Sequence, residues 1–553
     1  TVGSLTAVGD SALAANTSGY GSTAVGAACM DANTSGNNNT AVGQNALGAN
    51  TTASDNVAVG TAAGDAITTG GQNVAIGSGA LGALTTTSGN IAIGYNALDA
   101  GTDGVQNCVG IGTAALGALT ASGSGTTPNI AIGYNAGTAM TTGVNNTIMG
   151  SWAMSSVVTG NSNVAIGHAS MLSLTSGGTN TAVGQNSGNA ITTGSNNTFI
   201  GSTAGDAVTT GTQNTALGSA ALTACTTSSN NTVLGFLAGD AITTGGNHTA
   251  VGYGALGAVT TVGSLTAIGY EAGAANTSGT NNVYVGYQAG TAVTTGDYNV
   301  IIGGAAGDAQ TEADFSTFVG FGAGSAVTTG SNNTLIGGQC GDAITTGYSN
   351  VCIGLNAGGV ITTGHTSVII GQAAGRSMTT SSENVLIGNN VAALLTTGAQ
   401  NIIIGDNAAA GAAVTSNANT IVGDNSGYYL TSGSNNCFFG AASGHAITEG
   451  HNNVAIGHTS LAACTTGDAN IGIGVNAADA VTTGNNNTAV GGQALTSATT
   501  TSGVTAIGYN AGNALTTAPS CAFVGDYSGD AVTTGGYHVA MGSGALGACT
   551  TAT

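Results

Sequence analysis

A glycine closes the motif Asn-Thr/Val-Ala-Ile/Val-Gly at Gly9, Gly26, Gly43, Gly60, Gly77 and Gly94, each 17 residues after the last. The step slips to 18 at Gly112 and to 21 at Gly133, then holds at 17 for 16 steps to Gly405. One more step of 18 reaches Gly423, and seven of 17 reach Gly542. A fixed period means repeats that bury their apolar faces against one another. Seventeen residues is too short for helical repeats, which need about 33 or more. It fits one solenoid coil with two short strands and two turns, its neighbours paired in register about 4.8 Å apart. The fold expected is all-β: a β-solenoid (β-roll) of about 32 coils, one continuous array over residues 1–553. A coil insertion is expected near 113–128, where the extra residues from Gly123 to Pro128 form a loop.

Positions are counted from the anchor glycine, taken as zero. In the coil that starts at Gly60, Ala66-Ile67-Thr68-Thr69 and Val74-Ala75-Ile76 are the β-prone pieces, separated by turn residues. Position 7 is aliphatic in most coils (Ile67, Ile191, Val208, Ile242, Ile344), and so is position 16 (Ile76, Ile93, Ile132). Side chains alternate along a strand, so both positions are expected to face inward as two core ladders. Position 15 is then expected to face outward: Ala58, Ala75, Ala92, Ala131 and Ala165 would form a stripe. That stripe is either a plain solvent face or a seam where another chain packs. Position 13 is Asn in about two thirds of coils, among them Asn73, Asn90, Asn146, Asn163, Asn197 and Asn214. Stacked Asn side chains hydrogen-bond along a cross-β column, and Asn tolerates a left-handed corner.

Thr-Thr at positions 8 and 9 (Thr68-Thr69, Thr209-Thr210, Thr345-Thr346) puts one hydroxyl per coil outward. Such a file suits ice binding, although its outward partner at position 6 is Ala; plain β-propensity and Thr–Thr packing also account for it. Asp65, Asp99, Asp206, Asp240, Asp308, Asp342, Asp479 and Asp530 share position 5 and read as solvated turn residues. Cys225, Cys464 and Cys549 stand at the apolar position 7, and Cys29 and Cys340 at position 3, as buried thiols. Cys340 and Cys352 are the pair to check for a disulfide.

Composition excludes whole classes of function. Only 4% of residues are charged, Arg376 is the one basic residue, and the net charge is −21. Nucleic-acid backbones and anionic membranes require basic residues, so neither is expected as a partner. No apolar run of about 18 residues exists, so no membrane insertion is expected. His445, His451 and His458 occupy different columns, and no acid–base constellation is evident, so no metal, no cofactor and no enzyme activity are expected. The sequence opens at Thr1 and closes at Thr553 inside repeats, and reads as a mature or excerpted part of a longer chain.

The unit Gly-Tyr-Asn-Ala-Leu/Gly … Thr-Thr-Gly-x-Asn-Asn-Thr-Ala-Ile/Val-Gly, as in Gly94-Tyr95-Asn96-Ala97-Leu98 and Asn487-Thr488-Ala489-Val490-Gly491, resembles repeats of tail-fibre-like proteins of marine phages and of bacterial surface proteins. Its Asn-x-Ala-Ile-Gly core is similar to the head repeats of trimeric autotransporter adhesins. That resemblance implies a β-roll with one short repeat per coil and chains packed together. The expected function is an extracellular, cell-surface or virion fibre, or a fibre shaft, that self-associates end to end or laterally. The alternatives are an adhesin that recognises surface glycans through the Tyr residues at position 1 (Tyr95, Tyr134, Tyr253, Tyr270, Tyr287, Tyr509) or the irregular coils near Gly101–Pro128, and an ice-binding protein.

Overall fold

The computed structural model describes residues 3–101, 104–120 and 128–550. They contain 32 β-strands, each three residues long, from Thr6–Val8 to Val539–Met541. Among the described residues no helix is long and apolar enough to cross a membrane. The chain forms two compact units, Thr1–Ser278 and Gly279–Thr553. In the first, the strands from Thr6–Val8 to Thr266–Ile268 pair in chain order, in parallel and in register, as Val57, Val74 and Ile91 do. In the second, the strands from Val283–Val285 to Val539–Met541 do the same, as in Thr317, Thr334 and Val351. The chain is therefore an all-β solenoid with one short strand per 17-residue coil. Val109 pairs with Ile130 across the step of 21, so the register survives the longest slip. Residues 121–127 of the expected insertion lie outside the described residues.

The anchor glycine is explained by how closely the coils approach. Gly60 has φ of +137°. A Cβ there would lie 2.7 Å from the carbonyl of Gly77 in the next coil, too close for any side chain.

The expectation of two strands per coil holds for only one. Val74–Ile76 is a strand, but none of residues 66–69 is. The Ile67 N–H closes a local turn onto Gly64 O at 3.1 Å, whereas the Thr68 N–H reaches Thr85 O in the next coil at 2.8 Å. Ile-Thr-Thr is β-prone in composition, yet this local turn prevents a strand while keeping the coil-to-coil bonding.

The strand faces the opposite way from the expectation. Its middle residue points inward: Ala58, Ala75, Ala92, Ala131 and Ala165 are all buried. The outer two residues point out, so Ile76 is 37% exposed and Ile93 and Ile132 are half-buried. The core ladder at position 7 is as expected, with Ile67, Ile191, Val208, Ile242 and Ile344 buried. Positions 3 and 4 supply the rest of the core, with Ala46, Ala63, Ala80 and Ala97 buried at position 3. Where position 15 is Ala, position 4 is often Leu, as in the pairs Leu47 with Ala58 and Leu81 with Ala92, all buried. Where position 15 is a ring (Phe199, Tyr284, Phe318, Phe438, Phe523), position 4 of the same coil is Gly (Gly188, Gly273, Gly307, Gly427, Gly512). A Cβ on Gly188 would lie 2.9 Å from the Phe199 ring. The two positions thus share one space in these coils, whereas Gly64 with Ala75 and Gly239 with Ala250 leave both positions small.

Candidate functional site

Among the files of bonds that tie coil to coil, three decide which side chains remain for the surface. The first is the strand ladder. The second is the Asn column. Asn73 donates from its backbone N–H (3.0 Å) and from Nδ2 (3.1 Å) to Oδ1 of Asn56, and Nδ2 also reaches Thr87 O at 2.9 Å. Asn90 takes its place above, its N–H on Asn73 Oδ1 at 3.0 Å. Asn146, Asn163, Asn197 and Asn214 repeat the arrangement. These side chains are buried and fully engaged. The left-handed corner, however, is one residue earlier: Gln72, Asn145 and Asn196 have φ of 62°, 61° and 60°. Asn is used at position 13 for its amide, which bonds both ways along the stack.

The third file is at position 8. Thr51 Oγ1 donates to Thr68 O (3.2 Å), Thr68 to Thr85 O (3.1 Å), and Thr345 to Thr362 O (3.1 Å). These hydroxyls are consumed inside the stack, while the neighbouring Thr69, Thr210 and Thr346 at position 9 are the ones near water.

His248 interrupts the Asn column. Its N–H still bonds Asn231 Oδ1 (3.1 Å) and Nε2 meets Val262 O at 2.8 Å, but Nδ1 is buried with no hydrogen-bond partner. Burial pushes its pKa below the usual value. Leu265 occupies the same position one coil on. Cys340 and Cys352 are buried thiols and no disulfide joins them; Cys340 donates to Cys352 O at 3.0 Å. The Cys340 thiol, and then burial, hold Cys352 well above the usual thiol range.

The Asp column at position 5 is half-buried. Burial raises the carboxyl pKa of Asp65, Asp99, Asp206, Asp240, Asp308, Asp342 and Asp479. Asp31 belongs to the same column and was missed in the sequence. Asp65 and Asp99 sit two coils apart with Gly82 between them, and a Cβ on Gly82 would meet Asp99 Oδ1 at 2.6 Å and Asp65 Oδ1 at 3.7 Å. Among the described residues no three His, Cys, Asp or Glu side chains gather as metal ligands, and no cavity opens.

What remains outward is the sheet face. Its third strand position is apolar in all 32 strands: Val, Ile, Leu, Met or Phe. Its first position is Thr in 15 of them. Exposure of the third position is substantial, 41% for Ile268 and 37% for Ile336. Beside this face, across the anchor glycine, exposed rings stack coil on coil: Phe236 on Tyr253 at 5.8 Å and Tyr253 on Tyr270 at 5.1 Å and 9°. Tyr134 meets Trp152 edge-on at 5.5 Å. Comparison of the sequence with protein-family models and with curated proteins gives no match.

Proposed function

We propose that this chain is a structural extracellular fibre or fibre-shaft protein that works as an assembly with other copies. The carrying observation is that most coils repeat the same longitudinal bonds. Strand ladder, Asn column and Thr column run parallel, so load along the stack is shared by bonds of equal kind at most steps. Buried, cooperative hydrogen-bond columns of this sort suit a rod that resists pulling and opening. The composition fits exposure to proteases at a cell surface or on a virion, because Arg376 is the only site for trypsin-like cleavage. Sedimentation with electron microscopy of the purified chain tests the reading. Rods that associate laterally or end to end are expected. A monodisperse monomer at every concentration would overturn it.

A second reading, surface-glycan recognition, is favoured by the stacked Phe236, Tyr253 and Tyr270 rings, because sugar faces pack on exposed aromatics. Glycan binding that vanishes in Tyr253→Ala is its test. Ice binding would rest on the Thr file at position 9, which stays exposed while the position 8 hydroxyls donate to carbonyls; thermal hysteresis at high concentration decides it.

A further inference from the structure

The alanine stripe expected as a chain–chain seam is buried inside the coil, so any seam must lie elsewhere. We infer that copies of this chain pack face to face through the outward side of the sheet, the first and third positions of every strand. The inference rests on the self-association reading above and adds where the contact is and what fills it.

The sheet's own residues carry the argument. The first and third positions share one strand, one face and one β-preference. Thr appears 15 times at the first and never at the third. β-propensity alone accepts Thr as readily as Val or Ile, so something beyond strand formation keeps water-loving side chains out of the third file. Burial within the coil does not explain it, because Ile76, Ile268, Ile302 and Ile336 are 37 to 41% exposed. Exposed apolar files of this length on a lone chain are unusual.

The occupant that fits is a second copy. Sixteen coils at about 4.8 Å make the face of one unit about 75 Å long, and two outward side-chain files make it about 10 Å wide. That is roughly 750 Å² for one unit, against about 800 Å² per partner in a stable complex. The knobs on this face recur at the coil spacing, and interdigitation over its full length needs a partner with the same spacing. A second copy has it by construction. Charge allows the meeting: none of the 22 acidic residues of this strongly acidic chain falls at either outward strand position. Two copies can therefore touch here with no carboxylate in the contact files, although Asp10, Asp406, Asp424 and Asp526 stand beside the face at position 1.

The test uses the full chain. In one variant Ile302, Ile336 and Ile370 become Lys. In a matched control Thr295, Thr329 and Thr363, exposed at position 9, become Lys. Association is read by sedimentation, and folding by circular dichroism and amide exchange. The face variant is expected to weaken association by roughly a hundredfold or more, since like charges would face each other across the seam, while the control leaves it unchanged. If the Lys variant fails to fold, Ile→Thr at the same three positions decides by the same readout. Undiminished association in the face variant would overturn the inference and leave the fibre reading standing. Wild-type chain that stays monomeric, whether or not it shows thermal hysteresis, would overturn both.

Discussion

Asn197 is the sharpest point at which to test what holds one coil to the next. Its Oδ1 accepts the Asn214 N–H at 3.0 Å and the Asn214 Nδ2 at 3.1 Å. Its Nδ2 donates to Asn180 Oδ1 at 3.0 Å and Gly211 O at 2.9 Å. In Asn197→Ala, Asn180 Oδ1 keeps the backbone N–H of residue 197, and Asn214 Nδ2 keeps Ser228 O. Two buried backbone groups lose these bonds: the Asn214 N–H and the Gly211 carbonyl. Each buried group left unsatisfied costs roughly 1–3 kcal/mol, so the coil loses about 2–6 kcal/mol. Stacked repeats couple to nearest neighbours, so the loss is concentrated around residues 197–214 rather than spread over the chain. At the lower figure the coil opens about 30 times more often. Amide exchange read by mass spectrometry over that segment measures this directly, with Thr193→Ala on the exposed position 9 as control. Exchange within about twofold of the parent would refute the claim that the Asn column holds the coils together.

Two further perturbations probe the core and the break in the column. Gly188→Leu should destabilise by about 1–3 kcal/mol through overpacking against Phe199, and adding Phe199→Ala should recover part of that by recreating the Leu47 with Ala58 pairing. Leu47 already holds φ of 51° at that position, so the backbone accepts Leu there, and a double variant worse than the sum of its singles in urea unfolding would contradict the shared-space reading. His248 binds a proton less readily folded than unfolded, because burial lowers its pKa from an unfolded value of about 6.5. Its contribution to stability is therefore complete above about pH 6.5 and lost as pH falls below it. Urea midpoints at pH 7.5 and 5.5 should diverge in the parent and less so in His248→Asn; parallel pH profiles would rule this out.

The repeat carried the coil length, the parallel stacking, the inward position 7 and the Asn column, because each depends on a residue type recurring at one spacing. The strand phase did not follow from the same pattern. A three-residue strand such as Val74–Ile76 has only two possible phases, and placing the larger side chains inside picks the wrong one. The interior of this coil is already filled by Ile67 and by Leu47 of the preceding coil, whose methyls would lie 3.0 and 3.1 Å from a Cβ on Gly64, so a small side chain suffices. The signal that would have shown this lies in the chain itself: every ring at position 15 sits in a coil with Gly at position 4, which is how two residues behave when they compete for one space. The reading of Ala66-Ile67-Thr68-Thr69 as a strand failed for another reason. Its β-branched residues line a column of turns whose coil-to-coil bonds imitate a ladder. The outward apolar file is visible in the sequence as a pattern, but a run of aliphatic residues reads equally as core, so its exposure emerges only from the fold.

A cryo-EM map of the native assembly is the most direct test of the claim that these coils form a self-associating shaft. The expected map shows layers about 4.8 Å apart, one per 17 residues, with the rank of Ile302, Ile336 and Ile370 buried against another copy. Separate chains with that rank bare to water, or layers that fail to advance by one repeat, would contradict it.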